Sequence, residues 1–569
     1  MLLRIDGHEI RPQPGQRLLD LVRLAGLDAP VFSKRPIAAK IAGDVFNLQY
    51  VPVRETPEDT PTVRRAMAAS GGEIRLLTVS DPTGREVYNR TAQFVIFLAL
   101  RRLWPQARCK MNCTLGEALY IEVDGAESFD ADRLREEISA IVQADIPLLR
   151  RRVSTKDAMA AYAAQGLSDK ARLLSWREAP TFDEYYYGDF SDYYYGELAP
   201  STGYLQLWDV KALDHGFLFL FPSDRDPDKL GQWPQLPNLF QVYSEGERWC
   251  GLMDCENVAD LNELTKSGKI RELIRVNEAL HEKRFAHVAD SICQRGARAV
   301  LLAGPSSSGK TTSANRLATQ LRVYGKKPIV MSLDDYYRDR DTIAPGPDGK
   351  LDLEHINTLD TDLFRSQLGE LLRGGTVELP EFNFLTGKRE WHGRHMELQE
   401  DSVILVEGLH GLNPALLPEG IDPKAIFRMY VSPLLPLNLD NHNRIPTSYL
   451  RLLRRIVRDH ETRGASVAHT MSMWDSVRAG ERRWIFPYQE NADVIFNSST
   501  LSLIHISEPT RPLYIYPLLL AVTPEESCYE QVRGVVKILN YVLEADVDDE
   551  IPPTSLVREF IGGNTFYRK

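Results

Sequence analysis

Arg298-Ala-Val-Leu-Leu-Ala-Gly-Pro-Ser-Ser-Ser-Gly-Lys-Thr-Thr312 runs directly into Ser313-Ala-Asn-Arg-Leu-Ala-Thr-Gln-Leu321. A short apolar run, the pattern G-x-x-x-x-G-K-T and a helix-compatible stretch follow one another, so the order is strand, glycine-rich loop, helix. Gly304 and Gly309 allow successive backbone N–H groups to converge on one anion. A helix beginning near Lys310 turns its positive dipole end toward the same point, and the Lys310 ammonium reaches outer phosphates. The Thr311 hydroxyl is placed to meet Mg²⁺. Gly304, Pro305, Ser306, Ser307, Ser308, Gly309, Lys310, Thr311 and Thr312 are therefore the expected nucleoside triphosphate cradle.

Outward from this loop, apolar runs alternate with helical patterns beyond Gly296: Pro328-Ile-Val-Met-Ser-Leu333, Ser402-Val-Ile-Leu-Val406, Ile426-Phe-Arg-Met-Tyr-Val431 and Asp493-Val-Ile-Phe496. That alternation predicts an α/β domain with a largely parallel sheet covered on both faces. Ligands then belong at the carboxyl ends of the strands. Two acidic motifs fall there, Ser332-Leu-Asp-Asp-Tyr-Tyr337 and Val406-Glu-Gly-Leu-His410. A carboxylate to orient the nucleophile and a metal to bridge the outer phosphates are what phosphoryl transfer requires.

The loop and the two acidic motifs together resemble the uridine kinase and phosphoribulokinase family over roughly residues 297 to 500. The resemblance implies a P-loop kinase using ATP and Mg²⁺, with Asp334 as general base for the acceptor hydroxyl and Glu407 holding the metal together with Thr311. Leu351-Asp-Leu-Glu-His-Ile-Asn-Thr-Leu-Asp360 resembles the family's ribose-recognition segment, with Glu354 where an aspartate is usual. Pro380-Glu-Phe-Asn-Phe-Leu-Thr-Gly-Lys-Arg389 resembles the segment lining the base pocket. There Phe382 stands for a tyrosine and Gly387 for a base-contacting histidine, so two polar readers are missing. Tyr336 and Tyr337 join Glu354 and Phe382 as expected substrate contacts. Tyr449-Leu-Arg-Leu-Leu-Arg-Arg-Ile-Val-Arg-Asp-His-Glu-Thr-Arg-Gly464 looks like the family's basic lid helix. It implies Arg454 on ATP and Arg458 and Arg463, with Lys310, on the transferred phosphate.

The amino-terminal half carries different signals. Leu2-Leu-Arg-Ile-Asp-Gly-His-Glu-Ile10 reads as a hairpin about Asp6-Gly7, Leu18 to Leu24 as a short amphipathic helix, and Ile37 to Ile41 as a strand. Residues 1–60 thereby resemble the TGS domain, a β-grasp module of threonyl-tRNA synthetases. Residues 61–225 resemble the second additional domain of those synthetases, an α+β editing module. A helix over Asp81 to Pro105 and a strand over Leu115 to Val123 carry that likeness. The family's metal-binding pairs fall here on Asn89 and Gln93, and on Tyr194 and Leu198, which are poor zinc ligands. The fold is expected to be kept and the editing chemistry lost. The clusters Tyr185 to Tyr187 and Tyr193 to Tyr195 have no interleaved Lys or Arg, so packing is favoured over base stacking. Residues 226–296 read as a linker with a helix from Asp260 to about Arg295, and residues 297–569 as the kinase domain. His281 and His287 lie on different faces of that helix and read as satisfied or solvated side chains.

The 569 residues exceed one ordinary core, so several domains are expected. A charge of 68 − 79 = −11 provides no general field for nucleic acid, and any RNA contact would be local, through the amino-terminal domains. The six cysteines form no C-x-x-C pair, which suits reduced thiols of a cytoplasmic protein. No apolar run reaches bilayer length and the first residues lack a signal-peptide core, so no membrane association is expected. A homo-oligomeric assembly is expected. Leu501-Ser-Leu-Ile-His-Ile-Ser-Glu-Pro-Thr-Arg511 does not continue the domain's pattern, since Pro509 and Pro512 would break the helix due there. It looks like the translation of a transposase adapter used in DNA library preparation. A genuine loop insertion is the alternative, and codons that do not spell the adapter would decide for it. The leading functional expectation is phosphorylation of a nucleoside 5′-hydroxyl. Its rivals are a kinase for another small alcohol, such as a sugar phosphate, and an RNA-binding, translation-linked regulator that uses the loop as a nucleotide switch.

Overall fold

The computed structural model describes residues 2–52, 71–126, 128–343, 352–499, 517, 519–522 and 529–566. The suspected adapter string at 501–511 lies outside them. Among the described residues no helix is long and apolar enough to cross a membrane.

The chain opens with β1 (Leu3–Ile5), β2 (His8–Ile10), α1 (Leu18–Leu24), β3 (Ala38–Ile41), β4 (Asp44–Asn47) and β5 (Glu73–Leu77). The β1–β2 turn uses Asp6 and Gly7, both at positive φ, as a tight hairpin requires. The sheet order is β2-β1-β5-β3-β4, the β-grasp arrangement, with α1 burying Leu18, Leu21 and Val22 against Leu3, Ile5 and Ile41. A boundary at residue 60 is corrected by this sheet. Its middle strand, β5, pairs parallel with β1 and antiparallel with β3, so the module cannot close before Leu77.

The next module holds α2 (Pro82–Leu103), β6 (Arg108–Leu115), β7 (Ala118–Asp124), α3 (Ala131–Gln143), β8 (Leu149–Ser154), β9 (Thr181–Tyr187), β10 (Phe190–Asp192), β11 (Asp209–Leu213) and β12 (Gly216–Leu220). An antiparallel sheet, β11-β12-β7-β6, and α2 share one core containing Phe94, Phe97, Leu98, Ile121 and Phe217. The strand expected over Leu115 to Val123 is split. Gly116 at positive φ turns the chain, and β6 and β7 pair across it.

Residues 226–296 are not a linker. They form α4 (Pro237–Leu252), α5 (Val258–Lys266) and α6 (Ile270–Arg295). The single helix expected over 260–295 is interrupted at Gly268, whose φ is +76°. Leu261, Leu273 and Ile274 share a core with Leu435, Leu437 and Leu450, and Phe285 and Ile292 with Val300 and Leu317. A segment with that much buried apolar surface belongs to the kinase body. His281 is buried with its Nε2 3.1 Å from the Ser499 carbonyl, while its Nδ1 has no hydrogen-bond partner among the described residues, so the ring is only half satisfied.

The C-terminal body contains β13 (Ala299–Ala303), α7 (Lys310–Val323), β14 (Lys327–Ser332), β15 (Thr376–Asn383), β16 (Lys388–Glu397), β17 (Ser402–Glu407), β18 (Ile426–Ser432), β19 (Asn438–Asp440), β20 (Asn443–Arg444), α8 (Thr447–Arg463), α9 (Val467–Trp484), β21 (Val494–Asn497) and α10 (Tyr529–Leu539). Its sheet order is β14-β17-β13-β18-β21, with every pairing parallel. All residues of β13 and β17 are buried, as expected for a sheet covered on both faces. The ends of β13, β14 and β17 therefore meet at one edge and bring the glycine-rich loop and both acidic motifs together.

Candidate active site

The loop after β13 is shaped by close approach. A Cβ on Gly304 would lie 2.1 Å from the Val431 carbonyl oxygen of the neighbouring strand β18. Ser307 has φ +59° and Gly309 φ +85°, so the chain reverses before α7 starts at Lys310. The Ser307 and Ser308 hydroxyls are buried and make no hydrogen bond, leaving polar groups in the loop for an oxygen-rich ligand. Lys310 Nζ donates to the Pro305 carbonyl at 3.2 Å. Burial lowers its pKa, against the opposing pull of Glu407 and Asp334.

Thr311 Oγ1 donates to Glu407 Oε1 at 3.1 Å, so a hydroxyl and a carboxylate from separate elements lie side by side. These are hard oxygen donors of the type Mg²⁺ takes, and the pair fits that ion. Burial pushes the Glu407 carboxyl up to about 7. Thr312 Oγ1 donates to Glu559 at 2.6 Å, tying α7 to the C-terminal segment. Asp334 sits in a 3-10 turn capped by Ser332 Oγ. Its pKa is raised, by burial first, with Lys310 and Arg463 opposing and Asp335 reinforcing. A carboxyl moved toward neutrality beside the cradle suits a general base.

The expected substrate residues divide. Tyr337 lies edge-on to Phe382 at 5.6 Å, and Phe382 contacts Phe384, which makes an aromatic wall. Asp335 accepts from the Phe382 N–H at 3.4 Å and holds β15 to the turn. Tyr336 is corrected to a core role. It is 2% exposed, donates to Gln367 at 2.8 Å and packs against Phe364. The next residue, Tyr337, instead meets the Phe382 ring. Gly387 has φ +69°, and a Cβ there would meet Arg340 Cδ at 2.7 Å. The arginine stem thus fills the space next to Gly387, a feature no local motif announced.

Glu354 is brought to the same cleft through α9, where Gly480 leaves room for its stem. Burial raises its carboxyl to about 7, with Arg455 opposing and Glu481 reinforcing. Because the folded value lies above the unfolded one, the folded state holds the proton more tightly. Stability from this group is therefore unaffected below the ordinary carboxylate range and falls as pH rises toward about 7. Glu354→Gln should stabilise the ligand-free protein near pH ~8, by on the order of 3 kcal/mol at most, and leave it unchanged near pH ~4. Thermal midpoints at the two pH values check this, and equal gains at both would count against it.

The basic helix α8 does approach the loop, with a different division of labour from the expected one. Arg451 donates to the Ser306 carbonyl at 3.3 Å, and Arg455 to Ser306 Oγ at 3.0 Å. Neither was singled out in the sequence, although both lie on one face of the recognised helix. Arg458 and Arg463 pair with Asp459, and Arg463 is largely exposed. Arg454 is corrected from an ATP contact to a buried prop. It is fully buried, lies over the Phe560 ring and donates to the Ser498 carbonyl at 3.1 Å. Glu481 of α9 is a further unforeseen member. It accepts from Arg451 at 2.6 Å, from Arg478 at 2.9 Å and from the loop N–H of Ser306 at 3.2 Å.

A parallel five-stranded sheet, a phosphate-binding loop and strand-end carboxylates define a P-loop kinase of the α/β class. Residues 300–505 match the Phosphoribulokinase / Uridine kinase family, and the chain belongs to that family through this region. A uridine kinase of Vibrio atlanticus is 30% identical over 197 residues, 34% of this chain and 84% of that protein. A uridine kinase of Ligilactobacillus salivarius is 31% identical over 193 residues, 34% of this chain and 81% of that protein. The amino-terminal region is similar to a threonine–tRNA ligase of Syntrophomonas wolfei, 25% identical over 213 residues and 37% of this chain. The chain spans 31% of that ligase's length.

Proposed function

We propose that the protein transfers the γ-phosphate of ATP to the 5′-hydroxyl of a nucleoside, giving a nucleoside monophosphate. The observation that carries this reading is the convergence of a half-buried Asp334 carboxyl with Lys310 and the Thr311–Glu407 pair at one sheet edge. Loop N–H groups and Lys310 hold the donor phosphates. Magnesium bound by Thr311 and Glu407 would neutralise charge on the outer phosphates. Asp334 accepts the acceptor's proton and aims its oxygen, while the α8 arginines balance charge as it spreads over the transferring group. Glu354 receives the ribose hydroxyls, and the wall of Tyr337 and Phe382 faces the base. Purified protein incubated with Mg·ATP and a nucleoside panel should yield ADP and one monophosphate in equal amounts. ATP hydrolysis with no phosphorylated acceptor would reject the reading.

Arg340 favours a second reading, an acceptor that already carries an anionic group. Its stem crosses the Gly387 position, and the guanidinium is a fork suited to phosphate. Arg340→Ala would then raise KM for a sugar phosphate by about tenfold or more, and would leave KM for a neutral nucleoside unchanged.

A further inference from the structure

The hairpin β19–β20 belongs to the kinase body but is buried in the amino-terminal half. Asp440, at its tip, accepts from Lys170 Nζ at 2.9 Å and from the Tyr193 hydroxyl at 2.8 Å. Lys170 also pairs with Asp192 at 2.7 Å, and the Lys170, Asp192 and Asp440 side chains are all 0% exposed. His442 Nδ1 lies 2.7 Å from Asp192, and its ring stacks on Phe97 at 3.6 Å and 12°. Two more hydrogen bonds close the socket: the Met111 N–H donates to the Asn441 carbonyl at 2.8 Å, and the Asn441 N–H to the Asp169 carboxylate Oδ2 at 2.7 Å. Phe97 lies on α2, one turn beyond Gln93 and two beyond Asn89. The hairpin therefore docks on the helix that carries those substituted positions.

Two residues, Ile445 and Pro446, separate this hairpin from the basic helix. Arg444 donates to Thr114 of β6 at 2.9 Å and to Thr447, the first residue of α8, at 3.3 Å. One and two turns further on, Arg451 and Arg455 touch Ser306 of the loop. A salt-bridged, fully buried tip is costly to break one partner at a time, so the hairpin has one register, and α8 inherits it. A loose helix of long arginines would instead spend ordering entropy at every phosphoryl transfer.

We propose that the synthetase-like module serves the kinase as a clamp: it seats the β19–β20 hairpin in a closed socket and so fixes the α8 arginines over the loop. Lys170, Asp192 and Tyr193 are positioning residues in this scheme, which rests on the reading that α8 serves phosphoryl transfer. The test uses the full chain carrying Lys170→Met together with Asp440→Asn, a pair that leaves no new net charge in the socket. Amide hydrogen exchange over residues 447–463 should quicken by about tenfold while exchange over 310–323 is unchanged. Turnover should fall by about tenfold while Mg·ADP affinity stays within about twofold. Unchanged exchange over 447–463, or faster exchange with unchanged turnover, overturns the clamp. If the double variant does not fold, Tyr193→Phe decides by the same measurements, with smaller shifts in the same directions required and no shift overturning it. If the unaltered protein phosphorylates no acceptor, the functional reading fails by itself, and the exchange measurement alone judges the clamp.

Discussion

Asp334→Asn is expected to lower turnover by about 10²–10⁴-fold while leaving Mg·ATP affinity within about threefold. The amide keeps the shape of the side chain and its place in the 3-10 turn, where the backbone N–H is held by Ser332 Oγ. It cannot take a proton from the acceptor hydroxyl. In the proposed function ATP is held elsewhere, by the loop N–H groups, Lys310 and the Thr311–Glu407 pair. Losing one charge should, if anything, ease crowding, because Asp334 helps raise the Glu407 carboxyl. Steady-state turnover and equilibrium nucleotide binding on the same preparation check the split. Near-parental turnover would remove Asp334 from the role of base.

Glu481→Ala is expected to destabilise the kinase body by about 3–5 kcal/mol, the cost of leaving a buried ion pair with one partner. Glu481 is 1% exposed and Arg451 is 1% exposed. Burial works to raise the Glu481 pKa, but Arg451 and Arg478 outweigh it and hold the carboxyl below its ordinary value. Without the carboxylate, the Arg451 guanidinium would be stranded between α8 and the loop. Glu481 also receives the Ser306 N–H, so the loop loses a support at the same time. Denaturant unfolding followed by near-ultraviolet circular dichroism measures the loss. A change below about 0.5 kcal/mol, the usual size for a surface site, would contradict the burial argument.

Much of the donor half of the site was legible in the sequence because its chemistry is local. The loop needs residues 304 to 311 in one order, and each strand-end carboxylate follows directly on an apolar run. The acceptor half was less legible. Tyr336 and Tyr337 are neighbours in a motif, yet the turn sends Tyr336 into the core. Arg340 and Gly387 meet across 47 residues of chain, and the meeting depends on a positive φ that one sequence does not reveal. Arg454 stood in a basic run as exposed as its neighbours by spacing, but the C-terminal Phe560 covers it. Glu481 and Glu559 carry no motif and reach the loop only because α9 and the tail fold back on it.

The sequence alone determined the class of the kinase body and marked the loop expected to cradle phosphate. A loop that binds an anion through consecutive N–H groups is encoded within a dozen residues, and a buried parallel sheet is written in its apolar runs. It also determined that the front half has a separate synthetase-like ancestry. Tertiary structure decided which arginines touch the loop and that residues 226–296 are core. It decided too that Lys170 and Asp192 grip a hairpin some 250 residues away. Those contacts join charges distant in sequence, and burial makes each pair obligatory only after the chain has brought them together.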